Sequence, residues 1–375
     1  DKLSDRLHEE LTKTFIDKRA SVLARGLKQD MKFDTQILQN NDVIIDNQFI
    51  GKINGLKLEL DFKKGALETD IKSLKKAARQ AVGPELEKRA QMIINTGLVE
   101  LREDFKIYWN NSAIAKLVTG KDYLNPNLDL IVDDILEREP NQKLKIFLEK
   151  WIKNKINTVL KSLTDLKDIH EKNSSIKALA YQLFENNGVL KRENVSEYVK
   201  KLEQNERKIL RDLGVKFGRY HVFLYRLIKP EAVSLRTLLW KNFHQKYFNL
   251  KPPTFGLNFI NNTDFKDKDF MLLCGFEKFE NFFVRIDILE RLFVQIINNS
   301  NETNKEIKMI PEMINLLGCS KDNFKRLIKC MGYKTLEKNN EVYFKYTPSK
   351  IKKKIFNRKK TKENPFEILK NLNLN

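Results

Sequence analysis

Between Leu213 and Pro230, flat aromatic rings alternate with cationic side chains. Phosphates attract such cations and unpaired bases stack on such rings, so this composition suits contact with a nucleic-acid strand. Aromatic residues at helical spacing are more often core, so an amphipathic helix whose Lys and Arg heads reach water stays open as the alternative. From this segment we select four candidate contact residues: Lys216, Phe217, Arg219 and Tyr220.

A second group of cations lies on the helix predicted for residues 321–331. Phe324, Leu327 and Ile328 form its apolar stripe, which turns the basic side chains outward. A recognition helix needs such cations near a groove. Docking onto a partner domain is the competing role. The candidate contact residues here are Lys325, Arg326 and Lys329.

The segment Lys350–Lys362 contains eight basic residues and no acidic one. It is too charged to fold alone, and we expect it to bind phosphate without distinguishing sequence. The apolar residues of 364–372 suggest a short docking helix after it. The candidate contacts in the tail are Lys352, Lys353, Lys354, Arg358, Lys359 and Lys360.

The spacing of residues in the sequence indicates no catalytic site and no metal-binding site. No GxxxxGK[ST] motif occurs, so no phosphate-binding loop for ATP is expected within this chain. His8, His170, His221 and His244 are scattered, and structural or surface roles are the commoner outcome for each. The three cysteines show no CxxC spacing, which fits a reducing cytoplasm and argues against a zinc site.

Composition limits the class of protein. The 375 residues carry a formal net charge of +20, and such an excess favours a polyanionic partner. No apolar run approaches the roughly 20 residues needed to cross a bilayer, so no membrane partner is predicted. The fold predicted is α+β and predominantly α: a helical domain, a small duplicated β-hairpin element and a C-terminal winged-helix-like unit.

Periodicity places these elements along the chain. Helices are predicted at 3–27, 70–96, 141–168, 176–184, 194–213, 220–248, 287–298, 311–317 and 321–331, and strands at 43–60, 105–132, 271–276, 282–286 and 342–346. The domains expected are 1–140 with the N-terminal helix and duplicated β element, 141–250 helical, 257–348 winged-helix-like, and 349–375 as basic tail with docking segment.

The strand regions 42–55 and 105–120 follow one layout. Each has a strand, a polar turn, and then Ile, a small residue, Lys, an apolar residue and Gly in the same order. An internal duplication explains this pattern, and coincidence between two ordinary hairpins is the alternative.

Several stretches resemble, in order, the C-terminal half of the alphaproteobacterial superfamily 2 (DEAD/DEAH-like) helicases related to the mitochondrial degradosome RNA helicase. They are residues 2–23, 213–224, 285–292 with 316–320, and 364–370. The resemblance implies two RecA-like motor domains before Asp1. Those domains would use ATP and Mg²⁺, and no cofactor or catalytic residue is expected in the present chain.

The function expected is an accessory region that grips single-stranded RNA or DNA for an ATP-dependent helicase. The alternative is a protein-interaction scaffold that docks the motor to a nuclease or ribonucleoprotein partner. A free-standing enzyme is the least favoured function, since the sequence shows no arrangement of catalytic residues.

Overall fold

The computed structural model describes residues 3–7, 35–45, 47–60, 68–169, 174–261, 267–300, 306–338 and 341–347. The chain divides into two compact units, residues 1–290 and 291–375. It is mixed α/β with several small antiparallel sheets, and the predicted predominance of helix is not confirmed. None of the helices in these ranges is long and apolar enough to cross a membrane.

Residues 3–7 of the first unit are helical, and the remainder of the helix predicted at 3–27 lies outside the described residues. Two similar sets of strands, each followed by a helix, come further along the chain. The first set pairs in the order β1-β2-β3-β4, and the second in the order β5-β6-β7-β8. The elements of the first set are β1 (Thr35–Ile37), β2 (Asp42–Ile45), β3 (Gln48–Asn54), β4 (Lys57–Leu60) and α1 (Glu68–Thr96). Those of the second set are β5 (Glu100–Leu101), β6 (Lys106–Trp109), β7 (Ser112–Asp122), β8 (Asn125–Leu130) and α2 (Arg138–Val159).

These two sets repeat the same backbone hydrogen bonds 64 residues apart. The main-chain N–H of Ile53 donates to the carbonyl of Asn41 at 2.9 Å, and the N–H of Leu117 donates to the carbonyl of Phe105 at 2.8 Å. Asn41 and Phe105 also share a positive φ, of 70° and 65°. The two sets therefore share a backbone layout, which agrees with the repeat expected from the sequence and extends to four strands in each set.

Both repeats carry a β-bulge at the same place. The register shifts after Val43 in the first sheet and after Ile107 in the second. The extra residue on the third strand is Ile50 in one and Ile114 in the other, and both side chains are buried. In each copy, the bulge therefore directs the isoleucine side chain into the main hydrophobic core of the first unit.

Short helices and a three-stranded sheet follow the repeats. The sheet pairs in the order β10-β11-β9. Its strands are β9 (Val189–Lys191), β10 (Val215–Phe217) and β11 (His221–Leu224). The helices are α3 (Lys161–Thr164), α4 (Ser174–Glu185), α5 (Arg192–Lys201), α6 (Gln204–Asp212) and α7 (Pro230–His244).

The helix predicted over 220–248 is wrong in its first third. Val215–Leu224 is a β-hairpin, a 3-10 turn covers Tyr225–Ile228, and α7 begins only at Pro230. Proline suits the first turn of a helix, because its missing N–H would have no partner there. The helix predicted over 194–213 is two helices, and Glu203 caps the second of them.

Residues 271–276, for which the sequence predicts a strand, are mostly helical. Helix α8 (Lys268–Leu273) occupies most of this range, and the carboxylate of Asp267 caps it by accepting the N–H of Phe270 at 2.8 Å. A short buried apolar run fits helix and strand equally, so periodicity alone cannot separate them. The sheet beside α8 pairs in the order β12-β14-β13, with β12 (Phe259–Ile260), β13 (Phe276–Phe279) and β14 (Phe282–Arg285).

The second unit starts within helix α9 (Ile286–Asn298). Its three-stranded sheet pairs in the order β15-β17-β16. The helices at 311–317 and 321–331 and the strand at 342–346 are confirmed to within a residue, while β15 and β16 were not predicted. The elements are β15 (Glu306–Lys308), α10 (Pro311–Leu317), α11 (Lys321–Cys330), β16 (Tyr333–Lys338) and β17 (Glu341–Tyr346).

Candidate nucleic-acid interface

Four predicted contact residues lie in the hairpin Val215–Leu224. Lys216 stands opposite Phe223, and its side chain is exposed. Phe217 is half-buried and packs against the main core of the first unit. The ring of Phe217 therefore serves packing, which leaves little of it for stacking on a base.

The turn of this hairpin encloses the carboxylate of Glu290 from helix α9. The main-chain N–H groups of Tyr220 and His221 donate to Glu290 Oε1 at 2.9 Å and 2.8 Å, and the N–H of Arg219 donates to Oε2. A Cβ on Gly218 would lie 2.2 Å from the carboxyl carbon of Glu290, so only glycine fits there. Successive N–H groups in a turn form an anion-binding nest, and here the anion is the protein's own side chain.

His221 is buried between two carboxylates. Its Nε2 lies 3.3 Å from Glu277 Oε2, and its Nδ1 lies 3.5 Å from Glu290 Oε1. Lys191 pairs with Glu277 at 2.8 Å. Burial alone would lower the pKa of His221, but the hydrogen bonds and charges of the two carboxylates outweigh burial and raise it. Burial would likewise raise the pKa of Glu277, yet His221 and Lys191 hold it below its ordinary value.

Helix α11 carries three further predicted contact residues. The Nζ of Lys325 donates to Glu337 Oε1 at 2.6 Å, and this bond raises the pKa of Lys325. Arg326 is half-buried. Lys329 is exposed in the last turn and forms no ion pair with a described residue. The structure thus gives Lys325 an internal partner and leaves Lys329 facing solvent.

Three residues outside the predicted contacts complete this basic surface. Lys334 on β16 stands directly opposite Lys345 on β17, and both are exposed. The ring of Tyr346 is 48% exposed. The backbone links the end of α11 to the end of β17, because the N–H of Gly332 donates to the Lys329 carbonyl at 3.0 Å and the Gly332 carbonyl accepts the N–H of Thr347 at 3.1 Å. We call Lys329, Lys334, Lys345 and Tyr346 the basic cluster.

A sequence signal for this cluster exists. Asn339 and Asn340 form a polar dipeptide between two stretches of alternating residues, which is typical of a hairpin turn. A two-residue turn there pairs the flanking residues, and counting outward from it places Lys334 opposite Lys345. The strand β16 was missed because its side chains are mostly polar.

The predicted contacts in the tail, Lys352, Lys353, Lys354, Arg358, Lys359 and Lys360, lie outside the described residues. Among the residues that are described, no group of three or more His, Cys, Asp or Glu side chains could hold a metal ion. Phosphate contact through Lys and Arg is chemistry that the described part of this surface can offer.

Comparison with protein-family models, with curated proteins and with solved structures finds no match to this chain. The resemblance to the helicases stays an inference from separate sequence stretches. A function must then be argued from the chemistry of particular residues, since a fold alone does not determine one.

Proposed function

We propose that this chain is an accessory region that grips single-stranded RNA or DNA for an ATP-driven helicase motor. The basic cluster supplies the folded part of the grip, and the cation-rich segment that follows Thr347 in the sequence extends it. Only the sequence resemblance supports the part of this proposal that concerns the motor and its ATP and Mg²⁺.

The opposed pair Lys334 and Lys345 is the observation that carries the proposal. Like charges directly opposite each other on neighbouring strands destabilise a sheet. Glu306, the neighbour of Lys345 on β15, offsets part of this repulsion, but it pairs with Lys338 at 2.8 Å. A bound phosphate between the two ammonium groups would remove that repulsion and add attraction. Tyr346 follows Lys345 on β17 and points to the opposite face of the sheet, where its exposed ring offers a surface on which a base can stack.

The order of elements in the second unit supports the same proposal. The order helix, strand, helix, helix, strand and strand, with the sheet order β15-β17-β16, supports the proposal that this unit is winged-helix-like. In helix-turn-helix proteins, the second helix of the pair enters the groove of the nucleic acid. In this chain that helix is α11, which carries Lys329.

A salt series tests the proposal on the full chain. Fluorescence anisotropy would follow binding of single-stranded RNA and DNA oligonucleotides between about 50 and 200 mM salt. We expect the triple variant K329Q/K334Q/K345Q to weaken binding and to reduce the slope of log affinity against log salt by about 2, because each single-strand phosphate contact adds roughly 0.7. A slope near zero for the wild-type chain would refute the phosphate grip.

The matched control is K308Q/K325Q/K338Q, which removes the same charge from the same unit. These three lysines already pair with Glu341, Glu337 and Glu306, respectively. We expect this variant to keep most of the wild-type slope. If both triple variants lose slope equally, net charge and not the basic cluster accounts for binding.

The scaffold alternative has one supporting observation. Val294 and Ile297, three residues apart on helix α9, are 55% and 52% exposed. Exposed apolar groups on one helix face mark places where a protein partner can dock. A mobility shift after deletion of residues 350–375 separates the two functions. Binding that survives the deletion favours the grip, and binding that is lost entirely favours the scaffold.

A further inference from the structure

A cavity of about 720 Å³ lies in the first unit between the second β repeat, helix α2 and helix α7. This volume is within the range of pockets that enclose small ligands. Arg102 and Tyr108 also line a neighbouring cavity of about 390 Å³, so they mark the end where the two cavities meet. The apolar part of the lining is Leu101, Val159, Leu235, Leu238 and Pro252.

Lys241, which lines this cavity, is a buried cation without a counter-ion. It is 8% exposed, and its Nζ donates to the carbonyl of Leu250 at 3.1 Å. No carboxylate of a described residue lies within 4.0 Å of it. Burial lowers the pKa of Lys241; Glu103 opposes this shift, and the nearby charge of Lys251 adds to it.

Two ammonium groups, of Lys241 and Lys251, therefore line the cavity together with carboxylates, which belong to Glu100, Glu103, Asp104 and Glu231. Burying a cation costs free energy unless an opposite charge pairs with it. The carbonyl of Leu250 satisfies one N–H of Lys241 but brings no negative charge. An anionic group bound between Lys241 and Lys251 would supply that charge.

The backbone beside the cavity is strained where the other repeat is not. Phe105 has φ 65°, in the left-handed region that Asn41 occupies in the first repeat. Asparagine adopts this conformation readily, whereas a bulky residue rarely does. The ring of Phe105 stands edge-on to Phe248 at 5.5 Å, and the Nζ of Lys241 lies 5.9 Å from its centre. Strain of this kind concentrates at binding and catalytic sites.

The two repeats also differ in charge at the positions that line the cavity. The backbone is the same in both, so the comparison isolates the side chains. Residues 36, 38, 40 and 44 of the first repeat are neutral: Gln36, Leu38, Asn40 and Ile44. The residues 64 positions later are Glu100, Arg102, Asp104 and Tyr108; all four line the cavity, and the first three are charged. Glu103, which corresponds to Gln39, is a further charged residue of the lining.

We propose that this cavity binds a small phosphate ester with a flat body, of the size of a nucleoside monophosphate. Lys241 and Lys251 hold the phosphate, since lysine binds phosphate as a point charge. The guanidinium of Arg102 lies 4.3 Å from the centre of the Tyr108 ring, and its other face stacks the flat body. The site lies in the first unit, so the proposal does not depend on the nucleic-acid grip.

Such a ligand could be a free mononucleotide or the phosphorylated end of a strand. Isothermal titration of the full chain with AMP, UMP, adenosine and inorganic phosphate tests the chemistry. A short oligonucleotide with and without a 5′-phosphate then identifies the source. We expect a mononucleotide to bind at least about tenfold more tightly than adenosine or phosphate alone, because it makes both contacts.

Two variants and one control locate the site. Lys251→Gln and Arg102→Gln should each weaken mononucleotide binding about tenfold, the loss of one charge-assisted contact. Lys246→Gln is the matched control, because Lys246 is exposed and does not line the cavity. Its affinity should match that of the wild type. K334Q/K345Q should also bind mononucleotides normally, which separates this site from the basic cluster.

Two results would overturn the proposal. One is the absence of heat from any mononucleotide or 5′-phosphorylated oligonucleotide with a correctly folded wild-type chain. The other is binding that Lys251→Gln and Arg102→Gln leave unchanged, which would place the ligand elsewhere. Circular dichroism of each variant confirms that lost binding is not lost folding.

Discussion

The hairpin Val215–Leu224 and the basic cluster contain the same residue types in very different surroundings. Both combine cations with aromatic rings on neighbouring antiparallel strands. In the hairpin, the turn N–H groups hold Glu290, and His221 is buried between two carboxylates. In the cluster, Lys334 faces Lys345, and the acidic cross-strand neighbour of Lys345, Glu306, pairs with Lys338 at 2.8 Å.

The difference shows that composition identifies candidates but not their role. A cation or a donor that has an anion from its own chain contributes to folding. A cation that faces a like charge at the surface gains favourable electrostatic energy only when a ligand of opposite charge binds. Substitutions in the two regions should therefore separate stability from binding.

Glu290→Ala should have the largest effect on stability. The Glu290 side chain is 12% exposed, and its loss leaves three turn N–H groups without their acceptor and removes one of the two carboxylates beside the buried His221. We expect the free energy of unfolding to fall by about 3–5 kcal/mol, as for other broken buried charge pairs. Urea denaturation measures this. Lys329→Ala is the control and should change stability by no more than about 0.5 kcal/mol.

A loss below about 1 kcal/mol for Glu290→Ala would mean that water replaces the carboxylate without penalty. The hairpin and the cluster would then not differ as we describe. Glu290→Gln gives a graded test, because its amide oxygen can still accept from the turn while the charge is lost.

Gly218→Ala should have the next largest effect. The new Cβ would lie 2.2 Å from the carboxyl carbon of Glu290, so either the turn or helix α9 must shift. Overpacking of this kind costs about 1–3 kcal/mol. The cost should shrink when Glu290 is alanine, because the clashing group is then gone. A double-mutant cycle by urea denaturation measures this coupling, and strict additivity would contradict the close approach.

The pH dependence of stability tests the role of His221. Its pKa is raised in the folded chain, so its stabilising contribution is full below the unfolded value of about 6.5 and is lost as pH rises through the folded value. Glu277 behaves in the opposite way: its pKa is lowered, so its contribution is full above about 4.3 and is lost as pH falls.

We therefore expect stability to be highest between these two limits and to decline toward alkaline pH. His221→Asn should flatten the alkaline decline, as measured by urea denaturation at a series of pH values. His244→Asn is the control, since His244 is exposed near the end of helix α7. If the wild type and His221→Asn have parallel pH profiles, another group is responsible.

Local patterns predicted the repeats and failed at the hairpin for one physical reason. In the repeats, alternation and turn dipeptides such as Asn110-Asn111 act over neighbouring residues, so the sequence contains them directly. In the hairpin, the alternation of rings and cations fits a helix as well as a strand. What selects the turn is Glu290, about 70 residues away in sequence from Gly218, and no local pattern reports it.

Arg236 illustrates the same limit in the core. Its side chain is fully buried and donates to the carbonyls of Asn187, Leu227 and Leu273, which belong to three separate segments. Burial lowers its pKa to about 10. In the sequence it is one arginine in a helix of mixed composition, and only the folded backbone supplies its three acceptors.

K334Q/K345Q should have the smallest effect on stability and a clear effect on binding. Because the two lysines repel each other across the strands, their replacement should leave the thermal midpoint unchanged or raise it slightly. The same variant should bind single-stranded nucleic acid less tightly and with a weaker salt dependence. Thermal denaturation and anisotropy on one preparation measure both. A lower midpoint would show that the lysines stabilise the sheet, and unchanged binding would remove the contrast with the hairpin.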